Sequence, residues 1–262
     1  LYAAYENTGI YPEQSLYFLF NFEGQYNPLY LLAFINSSIF KFYYIEKMVT
    51  NRDTTPQLKK IHLDLFPIRK ILFTTNTEEK STFLENLEQL FETYLKDGNI
   101  ERIQLIIDQY LPKDEESQII DDDERSDVLH DFLSSLAEQM CECHTTLANE
   151  SQGFLRWLVR ELHKNLGELK HKAKLKEFYS FDFDTFLDLL KENQDRISLD
   201  LQERVFQERL EIEFNNSCNI LMHNLDKIKK TDTLIDQIFF ALYNLSPENI
   251  EAIKTALDVR GI

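Results

Sequence analysis

Between Asn36 and Lys60 the chain gathers side chains suited to holding nucleic acid: Asn36, Ser37, Lys41, Arg52, Thr54, Thr55, Gln57, Lys59 and Lys60. The run Thr-Asn-Arg-Asp-Thr-Thr at 50–55 offers hydroxyl and guanidinium donors that can reach phosphates or base edges. Gln57 carries the amide that pairs bidentately with adenine in the major groove. Lys59 and Lys60, followed by the apolar Ile61, Leu63, Leu65 and Phe66, would hold phosphates at a fixed height above the fold without reading sequence. Each feature also has a plainer reading, as a solvated turn, a surface amide or a lysine pair that keeps an apolar segment in water. A second basic cluster, His163, Lys164, Lys170, His171, Lys172, Lys174 and Lys176, is open in the same way, as a phosphate-facing patch or a solvated linker between helices.

The elements that must position these groups can be read from periodicity. Leu1 to Tyr5 and Ser15 to Phe22 are rich in Tyr, Phe and Leu with turn formers between them, which predicts two short strands. Asn27 as cap and Pro28 in the first turn predict one largely apolar helix, followed by a polar loop around Arg52 and Asp53. From Thr77 the pattern becomes that of amphipathic helices. They are expected over Glu78–Lys96, Ile100–Leu111, from Ser126 into Cys141, Glu150–Leu166, Asp182–Lys191 and Leu201–Lys230, with a last helix capped by Ser246 and Pro247. The expected fold is α+β but mostly α. A small mixed α/β recognition subdomain (1–73) precedes an antiparallel helical bundle (74–262).

Charge divides the chain in the same place. The net charge is −17, which argues against a uniformly basic nucleic-acid binder. Residues 41–70 nevertheless hold seven basic and three acidic groups, a balance of +4, and residues 1–73 come to +1, so the other 189 residues carry −18. A contact face confined to the first part, with an acidic helical remainder open to water or to a protein partner, is consistent with that division.

Other chemistries find little support. Cys141-Glu142-Cys143-His144 places groups at i, i+2 and i+3 of a helix, where they point in different directions, so ordinary thiols are expected rather than a zinc site. The acidic run between Lys113 and Glu124 lacks the glycine and spacing of a calcium loop and reads as exposed. Three cysteines make no disulfide framework, and with no secretory signal a reducing cytoplasm is expected. The longest apolar stretch, Leu29 to Ile45, is broken by Asn36, Ser37, Ser38 and Lys41, short of the roughly 20 residues that span a bilayer. No partner in the membrane is expected.

Two longer motifs add a family. The first is Tyr30-Leu31-Leu32-Ala33-Phe34-Ile35-Asn36-Ser37, then Phe42-Tyr43-Tyr44, Pro56-Gln57-Leu58-Lys59-Lys60 and Leu65-Phe66-Pro67-Ile68. The second runs from Leu234-Ile235-Asp236-Gln237 through Leu242-Tyr243-Asn244-Leu245 to Ile250. Together they resemble the C-terminal specificity region of adenine-N6 DNA methyltransferases of the TaqI type and of fused type II restriction-modification enzymes related to Eco57I. The resemblance implies duplex DNA as a partner, with the 36–60 region setting sequence choice. It also implies an upstream methyltransferase domain in the same chain that uses S-adenosylmethionine, so that Leu1 is expected to lie inside a longer protein. The glycine-rich cofactor turn and the Asn/Asp-Pro-Pro-Tyr loop of such enzymes are missing from these residues, since the six prolines are never adjacent. No catalysis and no bound cofactor are therefore expected of this segment itself. The alternative is a helical interaction module that docks another subunit of a DNA-defence complex.

Overall fold

A computed structural model describes residues 2–6, 9, 16, 17, 19, 22, 24–48 and 63–259. Among these the chain is helical with no sheet, and the one isolated β-bridge joins Lys113 to Ile119. The mixed α/β subdomain expected at 1–73 is therefore not supported: its described residues are helix and extended chain, and half of the expected strand at Ser15–Phe22 lies outside the described residues. Ala3 is held by the side chain of Asn36, whose Oδ1 accepts from Ala3 N–H and whose Nδ2 donates to its carbonyl, both at 3.0 Å. An amide side chain thus supplies the pair of bonds that a neighbouring strand would have made.

The apolar run after Asn27 forms two helices rather than one, α1 (Pro28–Asn36) and α2 (Ser38–Met48). Asn27 caps α1 by accepting from Leu29 N–H, and Pro28 fills a first-turn position whose missing N–H costs nothing. Ser37 makes the break. Its backbone is extended (ψ 157°), its hydroxyl donates to the Phe34 carbonyl at 2.7 Å, and its carbonyl accepts from Lys41 N–H at 3.0 Å. One residue ends the first helix and starts the second.

Seven further helices follow among the described residues: α3 (Thr77–Asp97), α4 (Glu101–Tyr110), α5 (Ser126–Leu162), α6 (Lys172–Lys176), α7 (Phe183–Lys191), α8 (Arg204–Leu242) and α9 (Pro247–Asp258). Asn76 caps α3, and Gly98 closes it in the left-handed region (φ 73°), where a Cβ would be strained. Two expectations merge here. The stripes ending at Cys141 and starting at Glu150 are one helix of 37 residues, and Leu201–Lys230 joins the terminal motif in one of 39, about 58 Å long. Polar positions 144–152 and 229–233 do not break a helix, because none of them is proline and the apolar stripe resumes in phase on the far side.

The chain divides into two compact units, Leu1–Met140 with Lys230–Ile262, and Cys141–Lys229. In the first, Tyr30, Phe34, Phe91, Phe132, Leu133, Ile238 and Phe239 make the centre of a buried core to which α1 to α5 and the end of α8 contribute. The second has its own core, in which Phe154, Phe178, Phe186 and Phe214 pack with ring centroids 4.1–6.2 Å apart. Its short helices are tied by side-chain amides rather than by regular structure. Buried Asn193 accepts from Lys170 N–H at 2.6 Å and donates to the Leu189 carbonyl at 3.0 Å, and Gln194 accepts from Leu201 N–H at 2.9 Å.

Candidate nucleic-acid interface

The two sequence motifs, some two hundred residues apart, meet in the first unit. Ser38, the first residue of α2, donates its N–H to Asp236 Oδ1 at 2.8 Å and its hydroxyl to the other carboxylate oxygen. The carboxylate thereby satisfies an orphan donor at the start of α2 and faces the positive end of the helix dipole. Phe239 packs on Tyr30 and Phe34 at 5.7 and 5.6 Å, and Tyr243 stacks on Phe34 at 6.0 Å with an interplanar angle of 11°. Aromatic positions that read only as apolar in the sequence are thus the joint between the motifs.

The described chain from Leu65 to Ile71 is anchored on two sides. On one side Phe40 meets Phe66 edge-on at 4.6 Å, and the Tyr43 hydroxyl donates to the Leu65 carbonyl at 3.1 Å. On the other, the Tyr243 hydroxyl donates to the Pro67 carbonyl and accepts from Arg69 N–H at 3.1 Å, while the Tyr26 hydroxyl accepts from Ile71 N–H at 2.9 Å and donates to the Arg69 carbonyl. Burial pushes the Tyr243 hydroxyl up to about 12, so it remains a donor at neutral pH. Extended chain from 66 to 75 would otherwise have bare backbone groups. Ser126 accepts from Leu72 N–H at 3.1 Å and Asp127 accepts from Thr75 N–H at 3.0 Å, so the first turn of α5 supplies further acceptors.

Behind this segment lies a buried polar network absent from the sequence reading. The Arg69 guanidinium pairs with Glu124, whose side chain is 1% exposed, and Glu124 also accepts from the Ser126 hydroxyl at 2.6 Å. Glu124 was expected in an exposed acidic loop, and burial of this one member corrects that expectation. His130 accepts from Asn27 N–H at 3.1 Å and faces Asp131 at 2.7 Å, inside a cage of Tyr26, Tyr30 and Phe73. Lys80 bridges Asp131 at 2.8 Å and Asp127 at 3.5 Å. These groups hold the start of α1 and the 66–75 chain against α5. No sequence signal marks His130 apart from the aromatic residues that happen to fold around it.

The residues singled out for DNA contact divide as follows. Asn36 spends its amide on Ala3. Ser37 is 1% exposed and its hydroxyl works at the helix joint. Lys41 is half-buried, with Nζ 5.8 Å above the Tyr2 ring, a cation–π contact. Arg52, Thr54, Thr55, Gln57, Lys59 and Lys60 lie outside the described residues. Beside the anchors an apolar cleft of about 310 Å³ is lined by Phe34, Phe40, Phe42, Tyr43 and Tyr243 with Ile253 of α9. Cys143 is buried and His144 exposed, so the Cys-Glu-Cys-His run diverges as its spacing requires. Among the described residues no group of His, Cys, Asp and Glu is placed to hold a metal ion, and no helix is long and apolar enough to cross a membrane.

Asp236 gives this joint a pH dependence. Burial pushes its carboxyl up to about 6, with Asp232 adding in the same direction, while the two Ser38 donors and Lys41 pull it back. The folded protein therefore holds this proton more tightly than the unfolded chain. Its contribution is complete below about pH 4 and is lost as pH rises through about 6, at roughly 1.4 kcal/mol for each unit separating the two states. Asp236→Asn keeps an acceptor for Ser38 N–H and removes the titration. The stability difference between variant and wild type is expected to move in favour of the variant from pH 4 to pH 7. Parallel pH profiles in chemical denaturation would show that Asp236 titrates normally.

A helical frame that fixes the chain from Leu65 to Ile71 is a packed scaffold of the kind on which loops are carried. Comparison with known proteins sharpens that class. Residues 1–68 match the family model of the TaqI-like C-terminal specificity domain. This is the family to which the motifs pointed, and the match supports a DNA-recognition role of the kind used in restriction-modification enzymes. Residues 126–239 match the model of a domain of unknown function, DUF8810. That match begins on the first residue of α5 and ends in the last turn of α8, so it encloses both long helices and everything between them. No curated protein and no solved structure matches the chain.

Proposed function

We propose that the chain is the target-recognition part of a restriction-modification enzyme, which contacts duplex DNA and sets sequence choice while a linked methyltransferase domain carries out S-adenosylmethionine-dependent adenine-N6 methylation. The match of residues 1–68 to the TaqI-like specificity domain carries this reading. The anchoring of the chain from Leu65 to Arg69 to α2 and α8 supports it, because recognition needs a scaffold fixed in place. In this reading Arg52, Thr54, Thr55 and Gln57 read bases, Lys59 and Lys60 hold phosphates, and Asn36, Ser37 and the buried network keep the support in shape. The chain itself then performs no methyl transfer.

Specificity is the test. Arg52→Ala and Gln57→Ala are expected to cost about 1–3 kcal/mol on the preferred site and much less on unrelated duplexes. Binding selections on randomised duplexes check this. If both variants keep the wild-type site preference and affinity, sequence choice does not reside in this loop.

A second reading has its own observation. Residues 74–140 hold eighteen acidic and five basic side chains, a balance of −13, so most of the negative charge sits on α3, α4 and the approach to α5. Such a face repels DNA and suits a basic protein surface, which favours a docking role for this part of the first unit.

A further inference from the structure

The second unit holds sixteen acidic and thirteen basic side chains, a balance of only −3 on a chain of −17, and its cations are unevenly placed. Around α6 the cations fall into two sets. Four of them are occupied. Lys164 pairs with Glu168 at 2.8 Å, Lys170 with Asp195 at 3.1 Å, and His171 with Glu192 at 2.7 Å, while Arg196 donates to the Glu168 carbonyl at 2.8 Å. The other set is Lys172, Lys174 and Lys176, all exposed, with no carboxylate in salt-bridge reach among the described residues. Glu168, Asp195 and Glu192 are thus taken up by the first set, and Glu177 directly follows α6.

The helix is held in one orientation. Leu175 is fully buried in the core of this unit, so a turn of 100° per residue sends the small side chain of Ala173 outward. Lys172 and Lys176 then lie on one flank and Lys174 on the other. A ridge with a methyl group at its crest and ammonium groups on both sides lets a phosphate backbone approach closely and be held from two sides. A protein partner fits less well, since stable protein interfaces are built around an apolar centre. The large apolar side chains exposed in this unit, Val205, Ile212, Ile220 and Met222, all belong to α8.

We propose that α6 is a second, sequence-independent contact for the phosphate backbone of duplex DNA. It adds affinity without adding specificity, and it rests on the reading of the chain as a DNA-recognition module. Each lysine that neutralises a phosphate steepens the dependence of log affinity on log salt by about 0.9.

The test uses the whole chain and a fluorescent duplex, titrated between about 50 and 200 mM salt. The triple variant Lys172→Gln, Lys174→Gln, Lys176→Gln is expected to bind about tenfold more weakly at the lower salt, with a salt slope shallower by about two to three. Its site preference and melting temperature should match wild type, because Leu175 is untouched. Glu177→Gln is expected to tighten binding about twofold. A wild-type chain that binds duplex DNA, with a triple variant of equal affinity and equal slope, overturns the proposal while leaving the recognition reading standing. Loss of self-association with unchanged DNA binding overturns it too and assigns the ridge to a second copy. A wild-type chain that binds no duplex at any salt sinks both.

Discussion

Arg69→Ala is expected to destabilise the first unit by about 3–5 kcal/mol, the cost of leaving one member of a buried ion pair without the other. Glu124 is almost completely enclosed and Arg69 is 17% exposed, so water cannot take over the role of the guanidinium. What remains for the carboxylate is the Ser126 hydroxyl, which already accepts from Leu72 N–H. Disturbing that serine would loosen the 66–75 chain as well. Replacing both partners by apolar residues of similar size, Arg69→Met with Glu124→Leu, removes the unpaired charge and should restore more than half of the loss. Denaturant unfolding of wild type, Arg69→Met, Glu124→Leu and the double variant closes a cycle that gives the coupling directly. A single-variant loss below about 1 kcal/mol would mean that the pair behaves like an exposed one.

Lys59→Glu combined with Lys60→Glu is expected to weaken duplex binding by about 10- to 100-fold on every sequence tested, with the salt slope reduced by about two. The size comes from context. Residues 74–140 already carry −13, so reversing two lysines leaves a chain whose field opposes the approach of any polyanion. Screening limits that opposition to roughly 10 Å at 0.1 M salt, so the deficit should shrink as salt rises. Anisotropy titrations at several salt concentrations measure both quantities. A loss confined to the preferred site would instead make these lysines readers of bases. Unchanged binding would remove them from the interface, and the α6 ridge would then be the contact to examine first.

The helices were legible because each is written locally. Asn76 and Gly98 bracket α3, Asp182 starts α7 by accepting from Thr185 N–H at 2.7 Å, and Ser246 with Pro247 starts α9. Breaks and mergers were harder. Ser37 interrupts an apolar run that reads as continuous because its hydroxyl finds the Phe34 carbonyl, and positions 144–152 join two stripes that read as separate because polar composition alone does not stop a helix. Of the two expected strands, Ser15–Phe22 lies half outside the described residues, and Leu1–Tyr5 finds a partner of another kind. Aromatic-rich extended chain near the N-terminus has the composition of a strand, but the partner available to Ala3 is the amide of Asn36.

By itself the sequence determined that the chain is mostly helical, that its first 73 residues escape the acidic excess of the rest, and that its two motifs resemble a DNA specificity region. All three depend on residue type and short-range spacing. Only the tertiary structure decided that Asp236 caps α2, that Tyr243 clasps Pro67 and Arg69, that Glu124 leaves the acidic loop for the interior, and that Lys164, Lys170 and His171 find carboxylates while Lys172, Lys174 and Lys176 find none among the described residues. Those outcomes turn on which charges find partners across long stretches of chain, and a pairing energy exists only once burial has removed the competing water.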